Sequence, residues 1–339
     1  MRGLIKITAI MLAGLATLTA CRDSEETITH SGNYSPIRGG FPQGDSRYDS
    51  IINEVKNEYG VYLLYKDITE ADLNREWVST GTGPIYVAGP EEQRDAPAWN
   101  LPEEQLPYYV DYFRNEIFPN ISKEFAHSAF PVKIYMIDNL RTEPRNLGDE
   151  SEEDNAGGTD TDPRIMLMKG TFDCWAISFT QEMMNSSNAD YALKQQRCML
   201  IIELIKNLDS KGELLSPDEF WEGFNFKDTM DIKNPSAPNY KYKLGFVDMI
   251  NDNFGTGQKK QVWVDYYFTG TSYWEKNNPN YNLYTTYIKN IMWLTPEEFE
   301  ERYPQALYPM IHQKRDIVVE FMKKQHGVDL VNISYGYKK

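Results

Sequence analysis

The stretch from about Asn188 or Asp190 to Leu208 limits what this chain can fold into more than any other. Cys198, Ile201, Ile202, Ile205 and Leu208 recur there at the i, i+3, i+4, i+7, i+10 spacing of an apolar helical stripe. A helix of that length must be covered along one side, so the neighbouring elements have to be arranged around it. Ahead of it the chain reads as short elements. Ile51, Ile52 and Val55 mark a helix that opens at Tyr48 and stops at Gly60, and Val61–Tyr65 then reads as a strand. Pro102-Glu103-Glu104 predicts a second helix through Tyr108, Tyr112, Phe113 and Ile117, and Val132–Ile137 predicts the next strand. Arg164–Met168 and Trp175–Phe179, separated by Gly170, suit two adjacent strands.

Past the long helix, Ser216-Pro217-Asp218-Glu219 and Thr295-Pro296-Glu297-Glu298 each offer a capping hydroxyl, a proline suited to the first turn and a reciprocal Glu. Both predict helix starts. Ile311, Ile317, Val318, Phe321 and Met322 give the last helix its apolar face, with Lys323, Lys324 and His326 in its final turn and Gly327 as its stop. A strand-bearing first part to about residue 180, followed by a mainly helical part over about 188–335, is an α+β organisation.

The amino end has another purpose. Arg2 and Lys6 precede an apolar run over residues 7–17, which is the layout of a secretory signal and too short to span a bilayer. It closes on Leu18-Thr19-Ala20-Cys21, which resembles the bacterial lipobox. That resemblance makes residues 1–21 a signal peptide and Cys21 the lipidated residue, held at a membrane by its acyl chains. Arg22-Asp23-Ser24-Glu25-Glu26 resembles the surface-export signal of lipoproteins in Gram-negative glycan-foraging bacteria, and a solvated tether would look the same. These likenesses imply a lipid-anchored protein of the outer membrane, facing the cell surface or alternatively the periplasm. Residues 22–46 are polar and rich in Gly and Ser, too poor in apolar area to offset chain entropy, and read as a flexible tether. Residues 47–339 are then a single tethered domain.

With 35 Lys plus Arg against 50 Asp plus Glu, the net charge of −15 argues against nucleic acid as a partner. Once Cys21 is assigned to lipid, Cys174 and Cys198 remain, either as one disulfide or as two buried free thiols. The acidic run over residues 149–162 lacks the ordered ligand pattern of a calcium loop and reads as a solvated loop.

The lipobox, the Tyr48-Asp49 helix with Tyr59-Gly60-Val61, the strands before a long helix, Gly245-Phe246-Val247, Gln313-Lys314 with Ile317-Val318, and His326-Gly327-Val328-Asp329-Leu330 together resemble one family. It is the zinc metallopeptidase lipoproteins of polysaccharide-utilisation loci, also called substrate import-associated zinc metallohydrolases. The resemblance implies a zincin-like domain, with a mixed sheet of short strands packed against a long active-site helix. In that family the helix carries His-Glu-x-x-His, two imidazoles on one face that bind zinc and a Glu that polarises the bound water. Here the same positions read Ile202-Glu203-Leu204-Ile205-Lys206. Only Glu203 is kept, at the catalytic position of a degenerate motif. The third ligand of the family would fall at Asp265. Neither an aliphatic side chain nor an ammonium offers zinc a lone pair, so no cofactor is expected, although active members would hold zinc. Glu203 and Lys206, three apart, are placed to form a local ion pair. Glu124-Phe125-Ala126-His127 looks like the end of the same motif, but Lys123 stands where the first ligand would be.

Trp263, Tyr273 and Trp274 lie in an aromatic stretch that runs into Asn277-Asn278-Pro279-Asn280-Tyr281-Asn282, a composition suited to stacking sugar rings as well as to core packing. The reading that results is an accessory or substrate-binding lipoprotein of nutrient uptake, working beside a TonB-dependent transporter with a glycan or peptide ligand. Its rivals are an active peptidase with a non-standard site on Glu203 and Asp265, and a scaffold of an outer-membrane complex that binds no substrate.

Overall fold

The computed structural model describes residues 37, 39–69, 72, 85–87, 100–138, 140–142, 166–169, 173–179, 184–185, 189–224, 230–231, 233–250, 263–264 and 283–335. The chain divides into two units, Met1–Phe41 and Pro42–Lys339, and all the described helices and strands belong to the second. Cys21, the acidic run 149–162, Asp265, Tyr273 and Trp274 lie outside the described residues.

Helix α1, Arg47–Tyr59, begins at a full capping box, with Ser46 and Asp49 bonding each other's backbone N–H. It ends at Gly60, whose φ of 74° is left-handed; a side chain there would also meet His127 Nε2 at 3.0 Å. The contacts of this unit start before the helix. Gln43 in the predicted tether accepts from the Tyr65 and Lys66 backbone N–H groups at 2.7 and 3.1 Å and donates to Lys66 O at 2.6 Å.

The main sheet has four strands in the order β1 (Tyr62–Leu64), β3 (Lys133–Met136), β6 (Cys174–Ser178), β5 (Met166–Lys169). The first three are parallel, and β5 is antiparallel to β6. The two runs flanking Gly170 are thus adjacent strands. Every residue of β6 is buried, as a strand covered on both faces requires. Two small antiparallel pairs lie apart from this sheet: β2 (Ile85–Val87) with β4 (Leu140–Thr142), and β7 (Met249–Ile250) with β8 (Trp263–Val264). Trp263 is therefore a ladder residue of β8.

The second helix differs from its predicted start. Instead of opening at Pro102, α2 covers Leu106–Asp111, because Pro107 has no N–H to give and is accommodated only in the first turn. The helix then widens into a π segment, Tyr112–Ile117, and tightens into a 3-10 turn, Phe118–Asn120. Helix α3, Lys123–Ala129, follows, capped by Ser122.

The long helix α4, Ala189–Ser210, packs against α3, the π segment, α6 (Leu283–Trp293) and α9 (Leu330–Tyr335). Its burial exceeds a single stripe, since Cys198, Met199, Leu200, Ile201, Ile202, Leu204, Ile205 and Leu208 are all buried. Of the two predicted boxes, Thr295 forms its own with Glu298 at the start of α7, Pro296–Arg302. Ser216 does not cap. Its hydroxyl accepts from the Trp221 indole at 2.9 Å, and α5 shrinks to the single turn Asp218–Trp221. The last long helix, α8, spans Pro309–Gln325, and Gly327 follows at φ 66°. A Cβ on Gly327 would lie 2.4 Å from Ser122 Cβ and Oγ, so only glycine allows the close approach in which Ser122 N donates to Gly327 O at 2.7 Å. The architecture is mixed α+β, and no helix among the described residues is long and apolar enough to cross a membrane.

Candidate functional site

The candidate site lies on the second half of α4. Glu203, Lys206, Asn207 and Ser210 recur every three to four residues and form a partly open polar stripe beside the buried Ile201, Ile202, Leu204, Ile205 and Leu208. The carboxyl end of α3 lies alongside it, where Asn207 Nδ2 donates to Ala129 O at 2.7 Å and Lys211 Nζ donates to Ser128 O at 2.6 Å. Lys206 Nζ donates to Glu203 Oε1 at 2.8 Å, and the two side chains are 39% and 19% exposed. Ile202 is 2% exposed and belongs to the core.

This geometry decides what positions 202 and 206 can do. Two residues four apart share a helical face, so side chains with lone pairs at both could converge on one cation. Ile202 has no donor atom and its side chain is buried. Lys206 presents a cation to Glu203, which is repelled by a metal ion and not a ligand to one. The residues present therefore do not fit a zinc ion held in the manner of His-Glu-x-x-His. What the arrangement does chemically is neutralise a half-buried carboxylate from within the helix. Asp265 cannot be placed against this stripe, since it lies outside the described residues.

The three described histidines each contact backbone groups. His127 Nδ1 is 2.7 Å from Lys123 O, His312 Nε2 is 2.5 Å from Tyr303 O, and His326 Nε2 is 3.3 Å from both Leu215 N and Leu215 O. Burial lowers the His326 value below that of a free imidazole. Among the described residues, no three His, Cys, Asp or Glu side chains are grouped to hold a metal. Cys174 and Cys198 are both buried and form no disulfide. Burial pushes the Cys198 thiol up to about 12, which keeps it protonated and unreactive.

Two buried charge clusters escaped the sequence reading. In the first, Arg197 on α4 pairs with Glu116 of the π segment, and its Nε donates to Ile333 O of α9 at 2.9 Å. Beside it, Tyr112 OH donates to Gln196 O at 3.0 Å. The second surrounds Asp248, which directly follows Gly245-Phe246-Val247. Lys241 Nζ donates to its carboxylate at 2.7 Å, Tyr242 OH at 2.5 Å, and Arg302 completes the set. Its backbone is also engaged, with Asp248 N donating to Tyr303 OH at 3.1 Å and Asn290 Nδ2 donating to Asp248 O at 2.8 Å. Burial alone would raise the Asp248 carboxyl, but the bonds from Lys241 and Tyr242 and the charges of Lys241 and Arg302 hold it below the usual carboxylate value. The only signal in the sequence is an acid beside Gly-Phe-Val with Lys241 seven residues before it, and that spacing matches no metal-ligand pattern. With both carboxylate oxygens engaged by cations, Asp248 serves to anchor the start of β7.

A surface groove of about 360 Å³ opens between Ser122 and Ser128, the end of α4 at Leu208, and the His326–Gly327 turn.

No family model matches the chain, and no curated relative matches it. Among solved structures it is similar to the crystal structure of a "putative zinc-binding metallo-peptidase" from Bacteroides caccae, at 13% identity and a TM-score of 0.38, over 86% of this chain and 92% of that one.

Proposed function

We propose that this chain is a lipid-anchored, non-hydrolytic counterpart of the zinc metallopeptidase lipoproteins, serving as an accessory or substrate-binding component of nutrient uptake. The observation that carries the reading is the state of the long helix. Where the family motif needs two imidazoles, this helix has a core isoleucine and an ammonium already bonded to the intervening Glu203 at 2.8 Å. Hydrolysis by that route needs a metal-bound water, and the side chains at positions 202 and 206 offer no lone pair to hold the metal. The lipobox ending in Cys21 supports the membrane anchor, and the acidic residues after it support a surface location. On this reading the helix keeps a partly open polar stripe without the donors that hydrolysis needs, so the protein would hold a ligand without cleaving it.

Elemental analysis of the full-length protein, purified without chelator, tests the reading. Zinc well below one ion per chain is expected, with no change on Glu203→Gln. One zinc per chain that disappears in that variant would overturn the proposal in favour of an active peptidase with a non-standard site.

A further inference from the structure

We draw no further inference here: the strongest candidate, the surface groove between the amino end of α3, the end of α4 and the His326–Gly327 turn, is lined by the solvent-exposed carboxylates of Glu124 and Glu213, and none of the buried unpartnered polar groups among the described residues points into it to show what ligand it takes.

Discussion

Arg197 and Lys206 stand on the same helix and each faces a carboxylate, but their surroundings differ in every respect that sets the worth of an ion pair. Arg197 is buried and reaches across 81 residues to Glu116 and across 136 residues to the backbone of α9. Lys206 bonds Glu203 three residues back, with 39% of its side chain in solvent. The first pair links separate elements in a low dielectric, where an unmatched charge is costly; the second is a local, partly exposed contact, worth little. The difference shows which charge pair on α4 holds separate elements together and which does little for the fold. In its amino-terminal half the helix is held by that buried pair, whereas in the half carrying Glu203 it is held by the buried Ile201, Ile202, Leu204, Ile205 and Leu208, and the Glu203–Lys206 pair adds little.

The comparison fails if Arg197 proves dispensable. Arg197→Met leaves Glu116 buried without its cation and is expected to cost about 3–5 kcal/mol, read as a drop in the urea midpoint. Adding Glu116→Leu should recover much of that loss, because the damage lies in the orphaned charge. A double variant as weak as the single would show that the pair itself stabilises the fold.

Asp248 extends the comparison to pH. Its folded value lies below the ordinary 3.8, so its contribution is complete above about pH 4 and is lost as pH falls through the lower folded value. Asp248→Asn should therefore cost about 3–5 kcal/mol at pH 7 and progressively less as pH falls below 4. Urea titrations at pH 7 and pH 3 read the difference, and equal gaps at both would remove the carboxylate from the explanation.

Ile202→His tests the boundary between the two halves. Placing an imidazole in that apolar site should cost about 1–3 kcal/mol in thermal or urea unfolding. A neutral result would mean that the site opens to solvent easily enough to accept the ligand of an active peptidase. The smallest effect belongs to Lys206→Met and to Glu203→Gln, each expected within about 0.5 kcal/mol of wild type and further reduced by salt. A loss of about 2 kcal/mol or more would place Glu203 with the buried charges.

What the sequence made legible follows the distance over which each feature is encoded. The Thr295 box and the Gly60 stop appear as predicted because every partner lies within a few residues. The strands flanking Gly170 were readable for the same reason. Helix α2 was misplaced by four residues because Pro107 outweighs the favourable start at Pro102. Ser216 misled because the indole that takes its hydroxyl is itself inside the predicted helix. Glu203 and Lys206, three apart, could be paired from the sequence alone, and they are bonded. Arg197 with Glu116, and Arg302 with Asp248, could not be, since 81 and 54 residues separate the partners and only the folded backbone brings them together. Lys314 belongs with them: it is 2% exposed on a face read as apolar, and its ammonium donates to the carbonyls of Glu219 and Glu222 at 2.8 and 2.6 Å.

The bond from Arg197 to Ile333 also sets a timetable. The guanidinium is enclosed with a carbonyl partner that the ribosome supplies 136 residues later, so the long helix cannot reach its final packing as it is made. Until α9 docks, the Arg197 guanidinium lacks the carbonyl that takes its Nε proton. Shortening the chain before Ile333 would make that unfinished condition permanent.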